Sequence, residues 1–162
     1  MPLTRFTAGF LSPVGWVRID AGDRGITAIS FQEEKVAADD GLPDFMKDAV
    51  QQLEDYFAGK RKRFEALPLA IAATDFQDRV WDATSEIPFG ETATYGEIAK
   101  SVDAPDAARA VGTALSRNPV VIIVPCHRII PSMGEYGEYA GGAWRKEWLL
   151  KHEKSGQLTV ES

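Results

Sequence analysis

Residues 119–130 read PVVIIVPCHRII, and this stretch constrains the fold more than any other part of the chain. Five apolar residues run into Pro125, whose ring fixes φ. The run reads as a buried segment that anchors a turn. After the proline come Cys126, the one cysteine of the chain, and His127, one of its two histidines. A lone cysteine is usually a small buried hydrophobe. As a nucleophile it would need a base, because a thiol of pKa ~8.5 is mostly protonated at neutral pH. In extended chain His127 could not face Cys126, since successive side chains diverge. A bend or a bridging water is required.

The 162 residues are 44% hydrophobic, enough for one core or two small lobes. No apolar stretch approaches bilayer length, and the first residues carry no signal segment, so a cytoplasmic location is expected. One cysteine excludes an internal disulfide. Together with two histidines it leaves too few donors for an all-protein structural zinc site; no metal and no organic cofactor is expected. The net charge of −6 argues, taken alone, against nucleic acid. A local patch can still act inside an acidic chain.

Two lobes are expected, residues 1–72 and 73–162. In the first, Val14–Phe31 holds two β-rich runs around AGDRG and reads as a hairpin. Phe45, Ala49, Leu53 and Phe57 mark an amphipathic helix that stops at Gly59. Lys60–Arg63 (KRKR) reads as a solvated basic turn, followed by a strand or extended linker. In the second lobe, Thr74 and Gln77 have capping-box spacing ahead of a helix that Pro88 terminates. Thr94 and Glu97 repeat the spacing and predict a helix starting at Tyr95. Asp103, Pro105 and Asp106 predict the first turn of another helix, ended by Asn118-Pro119. The pair suggests a helix-turn-helix. A last helix carries Trp144, Trp148 and His152 on one stripe, and Trp16, Trp81, Trp144 and Trp148 are expected in the core or at a seam.

The second helix of that pair, AARAVGTALSRN, is built largely of small residues with Arg109 near its start. Such a helix allows close backbone approach. It lacks long side chains for reading the major groove and would suit a minor groove instead. Tight packing against another helix is the plainer reading, and composition favours it.

Taken together, FGETATYGEIA, AARAVGTALSRNP, VPCHRII and GEYAGGAWRKEWLLKHE resemble the O6-alkylguanine-DNA alkyltransferase (methylated-DNA–protein-cysteine methyltransferase) family. The match runs over Thr74–Lys154; SPVGWVRID extends it loosely into the first lobe. The resemblance implies an α/β N-terminal lobe with a ribonuclease-H-like sheet and a mostly helical C-terminal lobe with a helix-turn-helix. It also implies single-turnover DNA repair. Duplex DNA carrying an alkylated guanine is bound from the minor groove, the base is flipped out, and the alkyl group passes irreversibly from O6 to Cys126. O4-alkylthymine is expected to be a poorer substrate. A monomer is expected, with cooperative binding along DNA left open.

The same resemblance implies the site residues. His127 acts as base through a water, and Glu153 orients it. Tyr95 donates its hydroxyl to N3 of the leaving base, with Lys146 assisting. Arg109 enters the base stack, and Ala108, Ala110, Gly112 and Leu115 share its helix as DNA- or substrate-facing positions. Asn118 ties the helix to the cysteine turn. The Cys126 and Ile129 backbones accept from the guanine amine, Tyr139 walls the pocket, and the Ala140 amide points at O6. YAGG departs from the serine common after this tyrosine, which leaves a backbone amide intact but affects pocket shape. Arg128 is either a phosphate contact or an internal ion-pair partner. Two rivals remain: a cysteine hydrolase using Cys126, His127 and Glu153, and a lesion-binding protein without transfer.

Overall fold

A computed structural model describes residues 5–131, 139 and 141–159, with side chains described as far as Ser155. The chain divides into two compact units, Met1–Ala72 and Ala73–Ser162.

The first unit is an antiparallel sheet in the order β1-β2-β3, formed by Arg5–Ser12, Gly15–Gly22 and Gly25–Gln32. The expected hairpin is β2–β3. Strand β1 is an addition. Its alternation is real, because Ala8 and Phe10 face inward opposite Ile19 and Val17, but Gly9 interrupts the β signal. That glycine has a packing reason. A Cβ there would lie 2.6 Å from the Val36 side chain and 2.8 Å from the Val36 carbonyl oxygen. The covering segment is held by Thr7 N–H to Asp39 Oδ2 (2.8 Å) and Asp39 N–H to Thr7 O (2.9 Å).

Helix α1, Asp44–Phe57, lies against β1 and β2 and buries Met46, Ala49, Leu53 and Tyr56 completely. Phe45 is only half-buried, so the buried stripe is centred on Met46 instead. Gly59 ends the helix at φ +78°; its N–H reaches Tyr56 O and that of Lys60 reaches Asp55 O. This is a Schellman cap, which the glycine in the sequence announced. Residues 68–70 then run beside β3, with Ile26 N–H to Pro68 O and Ala70 N–H to Ile26 O, both 2.8 Å.

In the second unit, α2 (Asp75–Ser85), α3 (Tyr95–Ser101) and α4 (Ala108–Ser116) pack on one another. Both capping boxes form as the spacing predicts, Thr74 with Gln77 and Thr94 with Glu97. The start of α4 differs from expectation. Asp103 does not open it. It closes α3 at φ +59°, with its N–H on Lys100 O and that of Ala104 on Ala99 O. Asp tolerates this left-handed conformation. Pro105 then occupies a turn closed by Ala107 N–H to Ala104 O at 2.9 Å, and α4 starts only at Ala108. A two-residue parallel pair joins β4 (Ala93–Thr94) to β5 (Ile129–Ile130). Helix α5, Ala143–Thr159, closes the unit. Its buried face is Arg145, Lys146, Leu149 and Glu153. The Trp144–Trp148–His152 stripe is not that face: Trp144 is 53% exposed, with Arg145 stacked on its ring, so it is no core residue. Among the described residues no helix is long and apolar enough to cross a membrane.

Gly9→Ala should lower stability by about 1–3 kcal/mol through overpacking against Val36. Gly96→Ala, in α3 with no atom nearer than 3.9 Å, should be neutral or stabilising. Urea midpoints of the two variants check the contrast.

Candidate active site

The apolar run 120–124 is buried except for the half-buried Ile123, but it forms no strand. It folds into two consecutive tight turns. Ile123 N–H bonds Val121 O at 2.8 Å around Ile122, whose φ is +73°. Cys126 N–H bonds Val124 O at 2.8 Å around Pro125, at φ −82° and ψ 61°. The second is an inverse γ-turn, common and suited to proline; the first is its rare, strained mirror image. A β-branched residue at positive φ persists only where its surroundings over-determine it. Asn118 does so here. Its Oδ1 accepts from Val120 N–H (2.9 Å), and its Nδ2 donates to Val124 O (2.8 Å). The same amide nitrogen donates to Cys126 Sγ at 3.2 Å.

Cys126, His127 and Arg128 form one turn of 3₁₀-helix, closed by Arg128 N–H to Pro125 O at 2.9 Å. The bend that the adjacent Cys and His needed is therefore present. The thiol is 6% exposed. Burial pushes its pKa up, while the Asn118 hydrogen bond, the Lys146 charge and its own backbone amide pull it back. At rest it is a thiol, so ionisation needs a proton acceptor.

An imidazole lies next door in the chain. His127 is fully buried, and its Nε2 sits 2.7 Å from Glu153 Oε2 on α5. Glu153 is held well below the usual carboxylate range. Burial opposes its ionisation, but His127 and then the guanidinium of Arg128 outweigh that effect. A carboxylate only accepts, so Nε2 carries the proton and Nδ1 is the basic nitrogen. Nδ1 is buried with no hydrogen-bond partner among the described residues. Burial keeps His127 below its ordinary value of 6.5; Glu153 pulls the other way, and Arg128 and Lys146 reinforce burial. The ring is neutral and can take a proton.

Arg128 is also buried. Nε and Nη2 grip Glu153 Oε1 and Oε2 at 2.8 and 3.1 Å, and Nη1 donates to Ile87 O at 2.7 Å. Of the two readings of Arg128, the internal ion pair is the one observed. Lys146 Nζ donates to Ile129 O at 2.6 Å. Burial pulls its pKa down to about 8, against the Cys126 charge. The Tyr139 ring stands edge-on to His127, centroids 6.3 Å apart.

Tyr95 opens α3 directly after β4, which pairs with the strand following the 3₁₀ turn. Its ring edge lies against Gly112, where a Cβ would approach to 3.9 Å. On α4, Ala108, Arg109, Ala110 and Thr113 are exposed, while Val111, Ala114 and Leu115 face inward. Leu115, 6% exposed, is thus a packing residue and not part of the Arg109 face. Ala140 lies outside the described residues.

The model for the 6-O-methylguanine DNA methyltransferase DNA binding domain matches residues 75–155, and that for the ribonuclease-like domain of the same proteins matches residues 9–71. The chain belongs to the 6-O-methylguanine DNA methyltransferase family. A methylated-DNA–protein-cysteine methyltransferase of Methanosarcina acetivorans is 45% identical over 93% of this chain and 99% of its own. One from Mycobacterium leprae is 55% identical over 69% and 67%. The crystal structure of Mycobacterium tuberculosis O6-methylguanine methyltransferase superposes with TM-score 0.84 at 40% identity, covering 98% of this chain and 100% of that one. A Mycobacterium tuberculosis OGT structure in complex with DNA gives TM-score 0.81 at 42% identity, covering 95% and 98%.

For a methyltransferase of this family the sequence under-reads two features. One is Arg128 as the clamp on Glu153, since nothing in a separation of 25 residues signals it. The other is the backbone carbonyl of Ile87 that receives Arg128, whereas the tie from Asn118 to the cysteine turn is found as expected.

Glu153→Gln should destabilise the fold by about 3–5 kcal/mol, because Arg128 keeps its buried charge without a counter-ion. The depressed His127 and Glu153 values mean that both groups bind fewer protons folded than unfolded. Their stabilisation is complete above the ordinary His value of 6.5 and declines as pH falls, first through the His range and then below the ordinary Glu value of 4.5. Urea titrations from about pH 8 down to about pH 3 check both, and Glu153→Gln should abolish the loss below 4.5 while leaving the loss through the His range in place.

Proposed function

We propose that the chain repairs DNA by moving an alkyl group from O6 of guanine to the sulfur of Cys126, once per molecule. The observation that carries this reading is the buried Asn118–Cys126–His127–Glu153 array, in which His127 Nδ1 has no hydrogen-bond partner among the described residues. His127 removes the thiol proton through a water, and Glu153 stabilises the imidazolium that results. The thiolate attacks the alkyl carbon. The S–C bond forms as the C–O6 bond breaks, and the bonding pair leaves with the guanine. The Tyr95 hydroxyl donates to N3 as charge builds there, and Lys146 adds positive charge nearby. No metal or organic cofactor takes part, and the thioether does not revert.

DNA is the partner, and the lesion is reached from the minor groove. The support is the outer face of α4, where Ala108, Ala110 and Thr113 leave the backbone close to the surface and Arg109 projects from its first turn. Arg109 fills the gap left by the flipped base. The Ile129 and Cys126 backbones and Tyr139 hold the extruded guanine. The protein acts as a monomer.

The test is a duplex carrying radiolabelled methyl on guanine O6. One equivalent of label should appear on the protein and vanish in Cys126→Ala. Tight lesion binding without label would favour a sensor, and repeated turnover of an ester a hydrolase; either result overturns the proposal. The methylated protein should melt earlier than the free one, by about 1–3 kcal/mol of lost stability, because the Cys126 site is packed for a thiol. Thermal unfolding before and after reaction measures this.

A further inference from the structure

We infer that Arg128 is a positioning residue for alkyl transfer: its guanidinium neutralises Glu153, so that the carboxylate orients His127 without drawing a proton onto the ring. The inference deepens the proposed function and rests on the role given there to His127.

The geometry sets a problem that Arg128 solves. A buried carboxylate 2.7 Å from an imidazole would, by itself, favour the imidazolium. An imidazolium cannot accept the thiol proton. Arg128 engages both oxygens of Glu153 in a fork, and its Nη2 shares Oε2 with His127 Nε2. The carboxylate charge is thereby matched before the histidine is counted. The guanidinium also stands near enough to the ring to oppose a second positive charge there, since both nitrogens bind one oxygen atom, at 3.1 and 2.7 Å. Nη1 on Ile87 O and the Phe89 ring 5.8 Å from Cζ fix the fork in place. Arginine suits the task because it stays charged and matches a carboxylate with two parallel donors.

Among the described residues, the other groups around His127 do not substitute. From α5 come Glu153 and Lys146, and from the same turn Cys126. Tyr139 presents a ring edge. Helix α2 packs on the turn with neutral Val80, Trp81 and Thr84 as its buried residues, and its charged residues are exposed or lie at its ends. Strand β4 offers Ala93 and Thr94. Lys146 is cationic too, but its ammonium is bonded to Ile129 O.

Arg128→Gln and Arg128→Lys decide the matter, each first checked for folding by near-ultraviolet circular dichroism. The first readout is NMR titration of histidine-labelled full-length protein. With two histidines in the chain, His152→Gln assigns the His127 signal. The His127 midpoint should rise by about 1–3 units in Arg128→Gln, the range for loss of an adjacent charge. It should rise by less in Arg128→Lys, which keeps the charge and loses the fork. The second readout is the single-turnover transfer rate against pH. Its acid limb should move up with the midpoint, and the rate should converge on that of the unmodified chain on the alkaline side. An unmoved His127 midpoint in whichever variant folds overturns the inference. So does a rate loss equal at every pH, the mark of a purely structural role. If the unmodified chain transfers no alkyl group, the proposed function fails, and the His127 midpoint still decides what Arg128 does.

Discussion

One carboxylate organises the second unit. Glu153 is fully buried and yet ionised, which is tolerable because Arg128 and His127 bond both of its oxygens. Through those bonds α5 is tied to the cysteine turn. Through Nη1 of Arg128 the end of α2 is tied there too, at Ile87. Lys146, one helical stretch earlier on α5, adds a second link to Ile129. The charge that would otherwise be a burden becomes the joint at which three segments meet, and its orientation of the imidazole comes with the same bonds.

The cysteine is placed by a different device. An apolar run of five residues would ordinarily extend into a strand. Here it doubles back within a few residues, at the cost of a positive φ at Ile122 on the order of 1–3 kcal/mol. Asn118 closes the loop at both ends, on Val120 and Val124, and spends its remaining donor on the sulfur. Strain and nucleophile are thus governed by one amide. A thiol held in this way is largely shielded from bulk solvent at 6% exposure and is aimed by backbone geometry.

Local signals carried much of the fold. The capping boxes at Thr74 and Thr94, the helix stop at Gly59 and the β2–β3 hairpin each follow from a few neighbouring residues, so they could be read in advance. Strand β1 could not, because its glycine serves a contact with Val36, 27 residues away. The opening of α4 was misread for a similar reason. Asp103 and Asp106 have the composition of a helix start, yet Asp103 is recruited by the end of α3, and which helix claims it depends on how the two pack. Trp144 followed the periodicity of α5, but the apolar stripe is not the buried one; long charged side chains fill that face because their partners lie across it.

The amino-acid sequence by itself determined the chemistry on offer: one thiol beside one imidazole after a rigid proline, a small-residue helix with a single arginine at its start, and a family pattern joining them. Tertiary structure decided which nitrogen of His127 is basic, whether Arg128 faces outward or inward, and that Glu153 is ionised. Those outcomes depend on desolvation and on bonds between residues 25 or more positions apart, and neither is encoded in the order of neighbouring residues.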